Sequence, residues 1–302
     1  MDWSPQRQRF RGSMAERYSR SGCWLLVLEN AGGVLGYKTI LVSEVAGVRT
    51  IRMNRPERRN AMTPEMQEEL ITAFTEAGFV TSCRVVVLAA AGEAFCAGLD
   101  LTVLREMAEK AGGSGSSEWR AELREDAERL ARLFRTLHEL EKPTIAAVHG
   151  AAVAGGTGLA TICDFTLAVP AAKFGYTEVK IGFVPALVSA FLVMQVGEKV
   201  ARDLLLTGRL FSAEEGYRLG LVSEVVAADA LSARVEELAA KLAGNSPEAM
   251  AATKRLLVAQ NKPWLDGAIH ESLEENARAR EKADFREGVT AFLEKRKPVW
   301  GR

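Results

Sequence analysis

Residues 149–164 read H-G-A-A-V-A-G-G-T-G-L-A-T-I-C-D, and the order of residue types there decides the fold. The apolar run 144–148 ahead of it suits a strand, Ala154-Gly155-Gly156-Thr157-Gly158 suits a tight turn, and the apolar residues 159–162 suit a helix. Glycines let a backbone approach a ligand closely. The first N–H groups of a helix have no intrahelical acceptor and sit at the positive end of its dipole. Such a turn can bind an anion, or stabilise negative charge that arises only during a reaction. A phosphate cradle calls for Gly-Lys-Ser/Thr after the glycines, or G-x-G-x-x-G with an acid on a later strand; neither is present. A close-packed turn without a ligand fits the stretch equally well.

A second stretch, Phe95-Cys96-Ala97-Gly98-Leu99-Asp100, follows the apolar run 85–90 and opens a helical run at Leu101. Two small-residue turns, each ending a strand and starting a helix, could aim two N–H groups at one oxygen. The two segments resemble the signature segments of the enoyl-CoA hydratase/isomerase, or crotonase, family. The resemblance extends over Asn54-Arg55-Pro56 to Asn60-Ala61-Met62, Phe174-Gly175-Tyr176-Thr177-Glu178, Gly182-Phe183-Val184-Pro185 and Ala291-Phe292-Leu293-Glu294-Lys295-Arg296-Lys297. It runs from Tyr37 to the C-terminus.

That likeness implies an α/β fold: a crotonase-like spiral of strand-strand-helix repeats over residues 37–230, then a C-terminal helical trimerisation subdomain over 231–302. It implies an acyl-CoA thioester as substrate, no cofactor beyond the coenzyme A that the substrate carries, and a homotrimer or dimer of trimers. By similarity the N–H groups of Leu99 and Gly155 hold the thioester oxygen, and Glu178 moves the proton at the α-carbon. A side chain at Gly155 is expected to push against the thioester. The segment Arg58-Arg59-Asn60-Ala61 matches the one that follows pantetheine and adenine, and Ala97, Gly98, Asp100 and Leu101 line the same path. Phe292 and Lys295 match residues that reach a neighbouring subunit's coenzyme A. Alternatives stay open: Glu178 could be a surface carboxylate on a strand, Asp100 a helix start, and the cationic end at 294–297 a solvated helix terminus.

One position departs from the hydratase pattern. Hydratases carry a second glutamate where this chain has Gly158, and glycine can neither orient water nor shuttle a proton. Shifting a double bond needs one acid/base; holding a water for addition is better served by two polar groups. The family's weight thus favours an enoyl-CoA hydratase, the residue count an enoyl-CoA isomerase, and a catalytically quiet acyl-CoA binder is a third reading that Glu178 argues against. Asp100, Glu106, Glu118 and Glu122 are candidates to replace the missing acid. Cys96 as a nucleophile lacks an evident histidine partner.

Composition narrows the classes. The 302 residues carry 39 Lys plus Arg against 39 Asp plus Glu, so bulk charge argues against a nucleic-acid coat or a membrane-surface protein. Cys23, Cys83, Cys96 and Cys163 show no C-x-x-C spacing and read as reduced thiols of a cytoplasmic protein. The three histidines make no helix-spaced pair, so no metal site is expected, and no run has the length of a membrane span.

Residues 1–36 differ from the rest: Arg7, Arg9, Arg11, Arg17 and Arg20 precede the short apolar run 23–28. A secretory signal would need a longer apolar core. The stretch is expected to be a disordered or non-native extension, and deleting residues 1–33 is expected to leave folding and activity intact. Two strands are expected over 39–45 and 48–53, a helix from Thr63 with Pro64 in its first turn, a capping box at Ser212, a helix from Ser246-Pro247 and an amphipathic run over 283–297. Residues 111–117 (A-G-G-S-G-S-S) followed by the charged stretch 118–140 read either as a solvated loop and surface helix or as a mobile flap over the acyl pocket.

Overall fold

The first hairpin follows from its turn. Strands β1 (Ile40–Val45) and β2 (Val48–Met53) pair antiparallel with Val45 opposite Val48. Ala46 and Gly47 between them have φ of 50° and 80°, the turn handedness that matches the twist of the flanking strands. The computed structural model describes residues 36–111 and 117–301. The arginine-rich leader and the centre of the Gly/Ser segment lie outside the described residues.

Thr63 caps α1 (Pro64–Phe79) by accepting the Met66 N–H, and Pro64 takes the first helical position. Met66, Leu70, Ala73, Phe74 and Ala77 recur at helical spacing and are buried. Strand β3 (Val85–Ala90) is buried throughout and runs parallel to β2, as expected of a strand covered on both faces. Helices α2 (Leu101–Ala111) and α3 (Ser117–Glu139) follow. Then come β4 (Thr144–Val148), β5 (Ala152–Val153), α4 (Gly155–Ile162), β6 (Phe165–Ala168) and β7 (Lys173–Gly175). A 3-10 turn, Glu178–Ile181, leads into α5 (Ala186–Thr207), which is interrupted at Gly197. The chain continues through β8 (Leu210–Ser212), α6 (Ala213–Leu219), β9 (Glu224–Val225), α7 (Leu231–Ala243), α8 (Pro247–Arg280) and α9 (Ala283–Leu293).

Two sheets result, one ordered β1-β2-β3-β4-β6-β9 and the other β5-β7-β8. The units β4-β5-α4 and β6-β7-α5 each give one strand to either sheet and then a helix, which is the strand-strand-helix spiral. Apart from the β1-β2 hairpin, the pairings of the large sheet are parallel. Its core unites Ile51, Leu88, Ile145 and Leu167 with Phe74, Phe134 and Phe191 from the helices. A fully buried side chain of this size contributes about 1.5–3 kcal/mol. A smaller cluster joins Leu104, Phe183, Phe285 and Val289, with Leu99 and Met107 packed against it.

Ser212 accepts the Glu215 N–H at 3.2 Å and Ser246 the Ala249 N–H at 3.3 Å, so both caps stand where their residue types put them. The amphipathic run 283–297 is helical only to Leu293: Lys295 has φ 55° and the Arg296 N–H donates back to the Ala291 carbonyl at 2.9 Å, closing the helix. The C-terminal helices are not a detached layer. Val235 and Ala239 of α7 belong to the main core, α8 packs on α3 and α5, and α9 packs on α2 and the 3-10 turn. Among the described residues no helix is long and apolar enough to cross a membrane.

Candidate active site

The two small-residue turns meet. Cys96 bridges to Ala152 and Met62 bridges to Leu99. The bonds are main-chain: Cys96 donates to the Ala151 carbonyl (3.1 Å), Val153 to Cys96 (2.9 Å), Met62 to Gly98 (2.7 Å) and Asp100 to Met62 (3.0 Å). A Cβ on Gly98, which has φ 87°, would lie 3.0 Å from the Ala154 Cβ and 3.9 Å from the Gly155 nitrogen, so Gly98 carries both the turn and the close approach. A Cβ on Gly156 would lie 2.3 Å from the Cys96 carbonyl oxygen.

Because Gly98 and Asp100 both bond Met62, the N–H of Leu99 between them points to the other side. Gly155 opens α4, so its N–H has no intrahelical acceptor. Neither amide donates to an acceptor among the described residues. Ala154 before Gly155 has φ 53° and ψ −125°, a conformation costing about 1–3 kcal/mol for a residue with a Cβ. Three bonds hold it there: the Ala154 N–H donates to the Gly175 carbonyl (2.7 Å), Val153 to Cys96, and Gly158 to the Ala154 carbonyl (3.2 Å).

Glu178 hangs from the same scaffold. Gly175, three residues earlier, accepts from Ala154 and from the Thr157 hydroxyl (3.0 Å), and donates its own N–H to that hydroxyl (3.1 Å). Glu178 starts the 3-10 turn, and Phe183 donates to its carbonyl at 3.0 Å. The side chain is buried, not a surface carboxylate, and its Oε2 has no hydrogen-bond partner. Burial pushes its pKa up to about 7, opposed in part by a backbone hydrogen bond. A carboxyl of that kind gives and takes protons near neutrality.

Gly158 is walled in. A Cβ there would meet Val188 Cγ1 at 2.8 Å and Phe134 Cζ at 3.1 Å. The position where hydratases carry an acid therefore faces apolar side chains. At Gly155 a Cβ would meet the Met62 methyl at 2.8 Å and Phe134 at 3.9 Å; the obstacle the structure shows is Met62, where the sequence led us to expect the thioester.

The other expected residues are spread over several places. Ala61, Ala97, Gly98 and Asp100 cluster around the Leu99 turn: Ala97 donates to the Arg59 carbonyl (3.0 Å), and Arg55 donates to the Ala61 carbonyl (2.5 Å) and to Asp100 (3.0 Å). Asp100 also accepts the Thr102 N–H at 2.9 Å, which makes it the cap of α2, where Leu101 is the first residue. Burial works against its charge, but the Thr102 N–H and the Arg55 guanidinium hold the carboxyl below its usual range. Arg58 and Arg59 are exposed beside this cluster. Phe292 and Lys295 are exposed on and after α9. Glu106 is exposed on α2 and Glu122 on α3, while the Glu118 side chain is outside what the structure describes. Cys96 is fully buried, and burial pushes its thiol up to about 12, which leaves it inert as a nucleophile.

Sequence reasoning missed Asn60, Phe134 and Val188 as shapers of the site. Asn60 accepts the Arg55 N–H and donates to the Ala91 and Ala94 carbonyls, fixing the turn that Arg59 and Ala61 flank. Its place between Arg59 and Ala61 in a quoted motif was the available signal. Phe134 lies in a helix whose charge pattern hid its buried stripe. Among the described residues no cluster of His, Cys, Asp and Glu could hold a metal ion.

Comparison with known proteins bears directly on this geometry. The family model described as Enoyl-CoA hydratase/isomerase matches residues 43–302. A Thermus thermophilus relative whose name places it among enoyl-CoA hydratases is 43% identical over 84% of this chain and 98% of its own length. The 2,3-dehydroadipyl-CoA hydratase of Escherichia coli is 32% identical over 86% of this chain and 97% of its own. Among solved structures, an enoyl-CoA hydratase from Mycobacterium avium superposes with a TM-score of 0.75 at 32% identity, covering 87% of this chain and 99% of that one.

Proposed function

Since the chain belongs to the enoyl-CoA hydratase/isomerase family, we propose that it hydrates a 2-enoyl-CoA thioester, with Glu178 as its single acid/base and the N–H groups of Leu99 and Gly155 as the oxyanion hole. The observation that carries this reading is Glu178: a buried carboxyl with an unpartnered oxygen and a pKa near 7, on the segment stitched to the Gly155 turn. Glu178 takes a proton from water as the hydroxide oxygen bonds to the β-carbon. The C=C π electrons move to the thioester oxygen, where two donors hold the enolate. As the enolate collapses, the α-carbon takes the proton back from Glu178. Each preorganised donor is worth about 3 kcal/mol. Arg58 and Arg59 suit the phosphates of coenzyme A, and no cofactor beyond the substrate's own coenzyme A is required. The exposed Phe292, Val299 and Trp300 suit a trimer in which the C-terminus of one protomer reaches the substrate of another.

A second reading, isomerisation, is favoured by the apolar wall at Gly158. Here Glu178 removes an α-proton from a 3-enoyl-CoA, a conjugated dienolate forms with its charge on the same thioester oxygen, and Glu178 returns the proton at the γ-carbon. Introducing a glutamate at 158 alone cannot test this, because Val188 and Phe134 fill the space; Gly158→Glu has to be combined with Val188→Ala. The deciding experiment incubates the protein with 2-enoyl-CoA and 3-enoyl-CoA in deuterated water. Hydration gives 3-hydroxyacyl-CoA; isomerisation moves the double bond and exchanges label. Product from neither would leave a quiet binder.

A further inference from the structure

A second buried polar cluster stands apart from Glu178. Arg280, the last residue of α8, is 1% exposed. It pairs with Asp126 of α3 at 2.8 Å, lies over the Phe183 ring at 5.3 Å and donates to the Met107 sulfur at 3.3 Å. Arg129 pairs with the same Asp126 at 2.7 Å and donates to the Gln67 Oε1 at 3.3 Å. Two guanidinium groups thus face one carboxylate.

Donors are left over. Arg280 Nε and Gln67 Nε2 are buried without a partner, and Gln67 itself is 0% exposed. The amide of Gln67 is oriented by Arg129, whose N–H needs the oxygen, so its NH2 is the end left free. Asn276, one turn before Arg280 on the same face of α8, is 3% exposed with its Oδ1 unpartnered; rotating that amide would present its NH2 instead.

The cluster is joined by short chains of contacts to the elements that carry Leu99, Gly155 and Glu178. Met107 packs against the same Leu104–Phe183–Phe285–Val289 cluster as Leu99, whose N–H is a proposed donor. Phe183 donates its N–H to the Glu178 carbonyl. Asp126, Leu130 and Phe134 follow at i, i+4 and i+8 on the buried face of α3. Phe134 touches the Gly155 and Gly158 positions, and eight helical residues span about 12 Å. Arg280 therefore contacts α2 through Met107, α3 through Asp126 and the segment after Glu178 through Phe183. Burial lowers its pKa, and Asp126 offsets this in part.

We propose that Arg280, Arg129 and Gln67 form a tail-reading site that selects acyl-CoA substrates whose acyl chain ends in a carboxylate. This deepens the proposed acyl-CoA function and rests on it.

The test separates recognition from reaction. Binding is measured by calorimetry with two saturated acyl-CoAs of equal chain length, one ending in a methyl group and one in a carboxylate. Wild type is expected to bind the carboxylate at least tenfold more tightly. Arg280→Met should abolish that preference while changing methyl-ended binding less than threefold. Gln67→Met, which keeps the ion pair and serves if Arg280→Met does not fold, should reduce the preference about fivefold. Equal wild-type binding of the two ligands overturns the proposal, as does an equal loss for both in the variants, which would mark the cluster as a water-filled structural clasp. Turnover of the corresponding 2-enoyl-CoA pair is read separately. Carboxylate preference in binding without turnover sinks the hydration reading and keeps the tail site; turnover without preference does the reverse.

Discussion

Glu178 and the Asp126–Arg280 pair are buried to a similar depth, at 8%, 6% and 1% exposure, and the fold treats them in opposite ways. Around Glu178 it excludes water and leaves a carboxyl oxygen unpaired, so the proton is kept up to about pH 7. Around Asp126 it supplies two guanidinium groups as ion-pair partners. Depth of burial alone therefore does not mark a reactive group. The contrast lies in what the neighbours offer to the charged form.

Removing the Glu178 charge is the severest way to break the contrast. Glu178→Gln keeps the volume but not the base, and kcat should fall about 10³-fold, with KM for the acyl-CoA nearly unchanged. Turnover within tenfold of wild type would take Glu178 out of the chemistry. On the other side, Arg280→Met leaves Asp126 with only Arg129, and urea unfolding should show a loss of about 3 kcal/mol. A change below about 0.5 kcal/mol would show that the pair is not the fixed element the contrast requires.

The pH dependence sharpens the comparison. The Glu178 pKa is raised from 4.5 to about 7 in the folded chain, so between those values the unfolded chain releases a proton that the folded chain keeps. Its favourable contribution is complete below pH 4.5 and is lost as pH rises to 7. Glu178→Gln should accordingly be more stable than wild type by about 2–3 kcal/mol at pH 8, and no more stable at pH 4. Denaturant melts at the two pH values check this. In the wild type, kcat/KM should rise with pH along a limb centred near 7. The smallest effect is at the apolar wall. Gly158→Ala gains about 1 kcal/mol of helix preference and loses about 1–3 through overpacking against Val188 and Phe134, a net loss of about 1 kcal/mol in thermal melts.

Much of this was legible in the residues. β3 reads as a doubly covered strand because Val85–Ala90 carries no polar residue, and the caps at Thr63, Ser212 and Ser246 announce themselves by type. The two turns were visible as motifs, since small residues are required wherever backbones touch. The Arg280 cluster was not. The i, i+4, i+8 stripe Ser272, Asn276, Arg280 looks like a solvated face, and only the packing of α8 against α3 and α5 buries it. Phe134 was hidden for the converse reason: its buried stripe lies in a helix rich in exposed arginine and glutamate. The end of α9 was misread because 294–297 continues the helical pattern while Lys295 breaks it by its backbone alone.

The amides of Leu99 and Gly155 are positioned by pairings between stretches remote in the chain: Met62 with Gly98, Cys96 with Val153, Ala154 with Gly175. Such long-range pairings close late in folding. A nascent or half-refolded chain can own every helix named above and still be chemically blank, for the site comes into being only with the last of those closures.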